Sequence, residues 1–102
     1  MKTNKMYISF THHELLEMIG VCRALKQVAL QQYNRAEAKL MDELIEQLLD
    51  YDLDEHGTAV TLDRISRFAL WSAMERYAAF CSDTCQYMEY AVAVTIMTKL
   101  QG

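Results

Sequence analysis

The chain has 102 residues, 52% of them hydrophobic and 24% charged; this fits one domain over 1–102 and excludes general disorder. It has no proline and only three glycines, too few turn formers for a β-sandwich or barrel. A net charge of −4 speaks against general affinity for nucleic acid, and no apolar run reaches the roughly 18 residues of a membrane span.

Met6–Phe10 alternates Met6, Ile8 and Phe10 with Tyr7 and Ser9, which predicts a short strand. Thr11, with Glu14 three places on, has the form of a capping box and starts a helix. Leu15, Ile19, Cys22, Leu25, Ala29 and Tyr33 then recur at helical spacing. The stripe resumes at Leu40, Leu44 and Leu48, widened by Met41 and Ile45. Asn34 with Glu37 is a second, weaker cap, so a helical hairpin bent around Gln32–Arg35 is expected rather than one long helix over 12–50.

An acidic linker follows over about 50–58, with Gly57 as its turn former. The third helix is expected after Thr58 or Thr61, with Asp63 near its positive end and Leu62, Ile65, Phe68, Ala69, Ala73, Tyr77 and Phe80 on its apolar line. Ser82 and Asp83 suggest the start of a last helix through Met88, Val92, Ile96 and Leu100. Ala91–Thr98 also alternates, so a strand paired with Met6–Phe10 is the competing reading. No internal repeat or low-complexity tract is visible. The fold expected is all-α: a small bundle of about four helices, a helical hairpin plus two C-terminal helices, with room for a short N-terminal strand.

Asp50, Asp52 and Asp54 open like a calcium loop, but its sixth and twelfth places hold Glu55 and Thr61 instead of glycine and glutamate. The wider charge pattern is more informative. Asp42, Glu43, Glu46, Asp50, Asp52, Asp54, Glu55 and Asp63 lie between Leu40 and Asp63 with no lysine or arginine among them. Asp42, Glu46 and Asp50 fall four apart and make an acidic ridge, a pattern that costs helix stability and suits contact with a basic surface. A merely solubilising face is the plain alternative.

Chemistry beyond binding has little support. His12 and His13 are adjacent and lack the i, i+4 spacing of a chelating pair, and the pairs Glu14/Glu17 and Glu43/Glu46 lack the histidines of a di-iron site. Cys22, Cys81 and Cys85 form no paired framework and are expected as reduced, buried hydrophobes. With no nucleophile elbow or phosphate loop, no enzyme activity, cofactor or metal is expected. The first ten residues lack the apolar region of a secretory signal, so a cytoplasmic protein is expected.

Arg64 and Arg67 share a helical face, as a DNA-binding regulator would need, though the acids nearby would repel DNA. Surplus apolar surface through Leu70, Trp71, Met74, Tyr77, Tyr87 and Tyr90 predicts a homodimer interface. The function expected is an acidic protein-interaction module, an inhibitor or adaptor, docking Asp42, Glu43, Glu46, Asp50, Asp52, Asp54 and Glu55 on a basic, nucleic-acid-handling protein. The alternatives are a DNA-binding transcriptional regulator acting through Arg64 and Arg67, and a metal or small-ligand binder.

Overall fold

The computed structural model describes residues 6–49 and 58–101. They form β1 (Met6–Phe10), α1 (His12–Gln31), α2 (Arg35–Leu49), β2 (Thr58–Leu62), α3 (Arg64–Asp83) and α4 (Tyr87–Gln101). This is a small four-helix bundle carrying one short antiparallel sheet. Of the acidic linker, Asp50–Gly57 lies outside the described residues, and Thr58 opens β2.

Local chemistry sets the helix starts. The Glu14 amide donates to the Thr11 hydroxyl at 3.1 Å, and the Thr11 amide donates to the Glu14 carboxylate at 2.8 Å, so the expected capping box is formed. Asp63 caps α3 by accepting from the Ser66 amide at 2.7 Å, a contact of about 1 kcal/mol.

Met6–Phe10 is the strand its alternation predicts. Its partner is Thr58–Leu62, however, and Ala91–Thr98 is helical within α4. In α4 the buried residues are Ala93, Ile96 and Leu100, spaced three and four apart, so packing at the helical period overrides the β-branched composition. Because Leu62 belongs to a strand, the phase of α3 also differs from the expected line. Its inward residues are Ser66, Leu70, Ala73, Met74, Ala78 and Cys81, while Ile65, Phe68 and Phe80 are exposed.

The expected hairpin breaks at Gln32–Asn34, so 12–50 is not one helix. Tyr33 sits at φ 58°, with the Asn34 amide donating to the Ala29 carbonyl and the Tyr33 amide to that of Leu30. This is a Schellman turn built without glycine. Thr84–Gln86 repeats it: Cys85 is at φ 59°, and the Gln86 amide donates to the Cys81 carbonyl. Ser82 and Asp83 therefore end α3 rather than start α4. A side chain in the left-handed region costs about 1–2 kcal/mol, and Tyr33 is 91% exposed, with little packing to lose. Tyr33→Gly is thus expected to stabilise by about 0.5–1 kcal/mol after the added freedom of the unfolded chain, a melting shift of roughly 3–6 °C upward by circular dichroism.

The second Schellman turn belongs to a larger repetition. Met6 and Thr58, Thr11 and Asp63, Tyr33 and Cys85, and Arg35 and Tyr87 each stand 52 residues apart, so two β-α-α units follow each other in the same element lengths. Strand register runs Met6↔Leu62, Ile8↔Val60 and Phe10↔Thr58, symmetric about the Ile8–Val60 pair. The two units are therefore related by an approximate two-fold axis through the middle of the sheet. Identities coincide only at Glu37/Glu89 and Leu48/Leu100, which is why no repeat shows in the sequence. Burial does coincide: Ile8/Val60, Phe10/Leu62, Met18/Leu70, Cys22/Met74, Leu44/Ile96 and Leu48/Leu100 are all in the core. A two-stranded sheet is marginal alone. Here Ile8, Phe10, Val60 and Leu62 face inward, and Tyr7, Ser9 and Ala59 face solvent.

Candidate interaction surfaces

On α2 the inward residues Ala38, Met41, Leu44, Ile45 and Leu48 leave Asp42, Glu43 and Glu46 on the outer side. Asp42 meets Lys26 of α1 at 2.7 Å, and Glu37 meets Arg76 of α3 at 2.6 Å. Part of the acidic ridge is therefore neutralised by neighbouring helices. Glu43 and Glu46 are exposed and make no ion pair among the described residues. Asp50, Asp52, Asp54 and Glu55, and with them the calcium-loop positions, lie outside the described residues.

The six apolar interface candidates are scattered. Leu70 and Met74 are fully buried in the core and have no surface to offer a second copy. Trp71 and Tyr77 are half-buried. Tyr77 braces α3 against α1, its hydroxyl donating to Glu17 at 2.6 Å; burial, then the acidic partner, push its pKa above the ordinary value. Only Tyr87 and Tyr90 are exposed.

Arg64 and Arg67 both lie in the first turn of α3, beside the sheet. Arg64 is exposed, whereas Arg67 turns inward, its Nη1 donating to the Leu100 carbonyl at 3.4 Å and lying 3.3 Å from the Met6 sulfur. Neither pairs with an acid of α2 among the described residues.

Of the cysteines, Cys22 and Cys81 are buried as expected, whereas Cys85, also expected in the core, is exposed because its left-handed turn lies between α3 and α4. Burial pushes the Cys22 thiol up to about 12, so it is neutral at physiological pH. Among the described residues no group of three histidines, cysteines or acids is placed to hold a metal ion. No helix there is long and apolar enough to cross a membrane.

No family model, curated protein or solved structure matches this chain.

Two features were not expected from the sequence. One is an apolar groove of about 520 Å³ between α1 and α3, lined by Leu16, Gly20, Ala24, Val28 and Phe80, with Glu17, Arg76 and Tyr77 as its polar edge. The other is the outer side of α4, where Tyr87, Met88, Ala91, Val94, Thr95 and Thr98 are all exposed. The expected core line of α3 includes Phe80, which is exposed, as is its counterpart Val28 fifty-two residues earlier; the last helix through Met88, Val92, Ile96 and Leu100 forms as expected.

Proposed function

We propose that this chain is a protein-binding module, an inhibitor or adaptor and not an enzyme, that docks the acidic outer side of α2 on a basic protein surface. What supports the reading is the exposure of Glu43 and Glu46 without any counter-ion among the described residues, at a helix end from which the sequence runs directly into Asp50, Asp52, Asp54 and Glu55. Uncompensated acids one turn apart cost helix stability, so their retention is best explained by a contact that uses them. A partner surface that otherwise holds nucleic acid fits this charge, and duplex DNA is then a competitor for the same surface.

Glu43→Lys with Glu46→Lys tests the reading. Affinity capture by the wild type is expected to retain a basic protein that added DNA displaces, and the double reversal is expected to cut retention at least tenfold, about 1.4 kcal/mol. Equal retention by both forms rejects acidic docking.

A second reading, a DNA-binding regulator, has one observation in its favour: a two-stranded antiparallel sheet with an open outer face is of a size the major groove admits. That face carries Tyr7, Ser9, Ala59 and Thr61 and no lysine or arginine, so phosphate contact would rest on Arg64. Absence of a salt-sensitive mobility shift, with or without Arg64→Ala, removes it.

A further inference from the structure

The two-fold repetition supplies an internal comparison for α4. At about 100° per residue, Tyr87, Met88, Ala91, Val94, Thr95 and Thr98 share the outward arc of that helix. None of them is charged. The two charged residues of α4, Glu89 and Lys99, fall off this arc, and Lys99 is held at 2.6 Å by Glu14. Fifty-two residues earlier the same arc of α2 holds Arg35, Ala36, Lys39, Asp42, Glu43 and Glu46. The same place in the fold thus accepts five charges in one unit and none in the other. Lys26 accounts for Asp42 on the α2 arc, since Ala78 stands at the corresponding place opposite Val94; at the other positions both arcs point outward and packing within the chain leaves the difference open.

The threonine hydroxyls on the α4 arc are also withdrawn from use. Thr95 Oγ1 donates to the Ala91 carbonyl and Thr98 Oγ1 to the Val94 carbonyl, each at 2.9 Å. Bonded back to their own helix, these hydroxyls need no outside partner, and the arc presents methyl groups and small side chains beside Tyr87 and Met88. Those two are 70% and 81% exposed, a cluster of the kind that marks a contact surface.

We propose that α4 pairs with α4 of a second copy of this chain, antiparallel about a two-fold axis near Ala91–Thr95. Charge selects the occupant. Each copy carries −4, so pairing through an acidic face such as Glu43 and Glu46 would set like charges against each other, whereas two copies meet on the uncharged arc of α4 without that cost. Shape selects the direction. The bulky Tyr87 and Met88 stand at one end of the arc, with Ala91, Thr95 and Thr98 following. Antiparallel packing lays the bulk of each copy over the small residues of the other and sets the helix dipoles in opposition, whereas parallel packing opposes Tyr87 to Tyr87. The α2 surface of each copy stays open, so this pairing stands independently of acidic docking.

Sedimentation equilibrium of the purified chain, from micromolar to millimolar, tests the pairing. The wild type is expected at twice the chain mass. Ala91→Glu with Thr95→Glu places like charges across the two-fold and is expected to weaken association at least about 100-fold, leaving one chain mass with unchanged helical circular dichroism. Glu46→Lys, on α2, is expected to remain a dimer. If the double variant loses helical signal, Val94→Lys serves in its place. A wild type that stays at one chain mass throughout overturns the proposal, whatever other protein covers α4. So does a dimer that survives both the Glu and the Lys variants, because another face then holds it.

Discussion

Lys99→Met is expected to destabilise the fold by about 3 kcal/mol, read as a lower urea midpoint at unchanged slope. Glu14 is only 6% exposed, yet it lies at N3 of α1, where its carboxylate accepts from the Thr11 amide at 2.8 Å and from Lys99 Nζ at 2.6 Å. The ammonium comes from the last turn of α4, so this pair ties the start of the first unit to the end of the second. It also stands 5.8 Å over the Phe10 ring, a further attraction that methionine loses. Removing it leaves a carboxylate buried with one neutral donor. Loss of one partner of a buried pair costs about 3–5 kcal/mol, and the side chain of Lys99 is 33% exposed, which favours the lower figure because water reaches part of the gap. The repetition supplies the control. At the corresponding places the other unit holds Ser66 and Gln47, both neutral, so the fold tolerates an uncharged pair there. Glu14→Gln with Lys99→Met keeps a capping side chain at N3 and is expected to recover most of the loss. A single Lys99→Met within 0.5 kcal/mol of the wild type, on the order of measurement error, would show that water already solvates Glu14.

How far the sequence anticipates this molecule depends on the reach of each interaction. Capping is decided within four residues, and the Thr11–Glu14 box and the Asp63 start were legible for that reason. The hairpin break near Gln32–Arg35 was placed correctly, although the device that makes it, a left-handed Tyr33, has no signature without glycine. Strand pairing joins residues about fifty positions apart, and nothing local distinguishes Thr58–Leu62 from Ala91–Thr98 as the partner of Met6–Phe10. Reading Leu62 into a helix then turned the apolar line of α3 and put Ile65, Phe68 and Phe80 inside, although Ala73 is buried as expected. The same physics hid the repetition. Pairs such as Met18/Leu70 and Cys22/Met74 keep burial while changing identity, because a core accepts apolar side chains of adjusted volume. On the surface the acidic run was legible as composition. The Lys26–Asp42 pair that tempers it was not, since it crosses between helices. Leu70 and Met74 looked available for an interface only because which side of α3 the core takes up is a tertiary fact.

Phe10→Ala is expected to cost about 3–5 kcal/mol, and the way the loss is distributed will show whether the two units are one cooperative body. Phe10 is fully buried at the end of β1, opposite Thr58 in the sheet and under Lys99 of α4. Truncation therefore opens a cavity at the seam between the units rather than inside either. Trp71 belongs to the second unit, on α3, and is the only tryptophan, so its fluorescence reports on that unit alone while far-ultraviolet circular dichroism reports on all four helices. If the core that runs from Ile8 and Phe10 through Val60 and Leu62 into both helix pairs is a single structure, the two signals fall together in the wild type, and both midpoints move down together in the variant. Separate transitions, with the Trp71 midpoint unmoved, would mean that each β-α-α unit unfolds by itself and the sheet is only a contact between them. The shared transition is the outcome the packing predicts. Among the described residues neither strand has a second strand of its own unit to pair with, so the inward face of β1 is completed there by β2 and the helices beyond it. A sheet of two strands contributed one from each unit has no stable half.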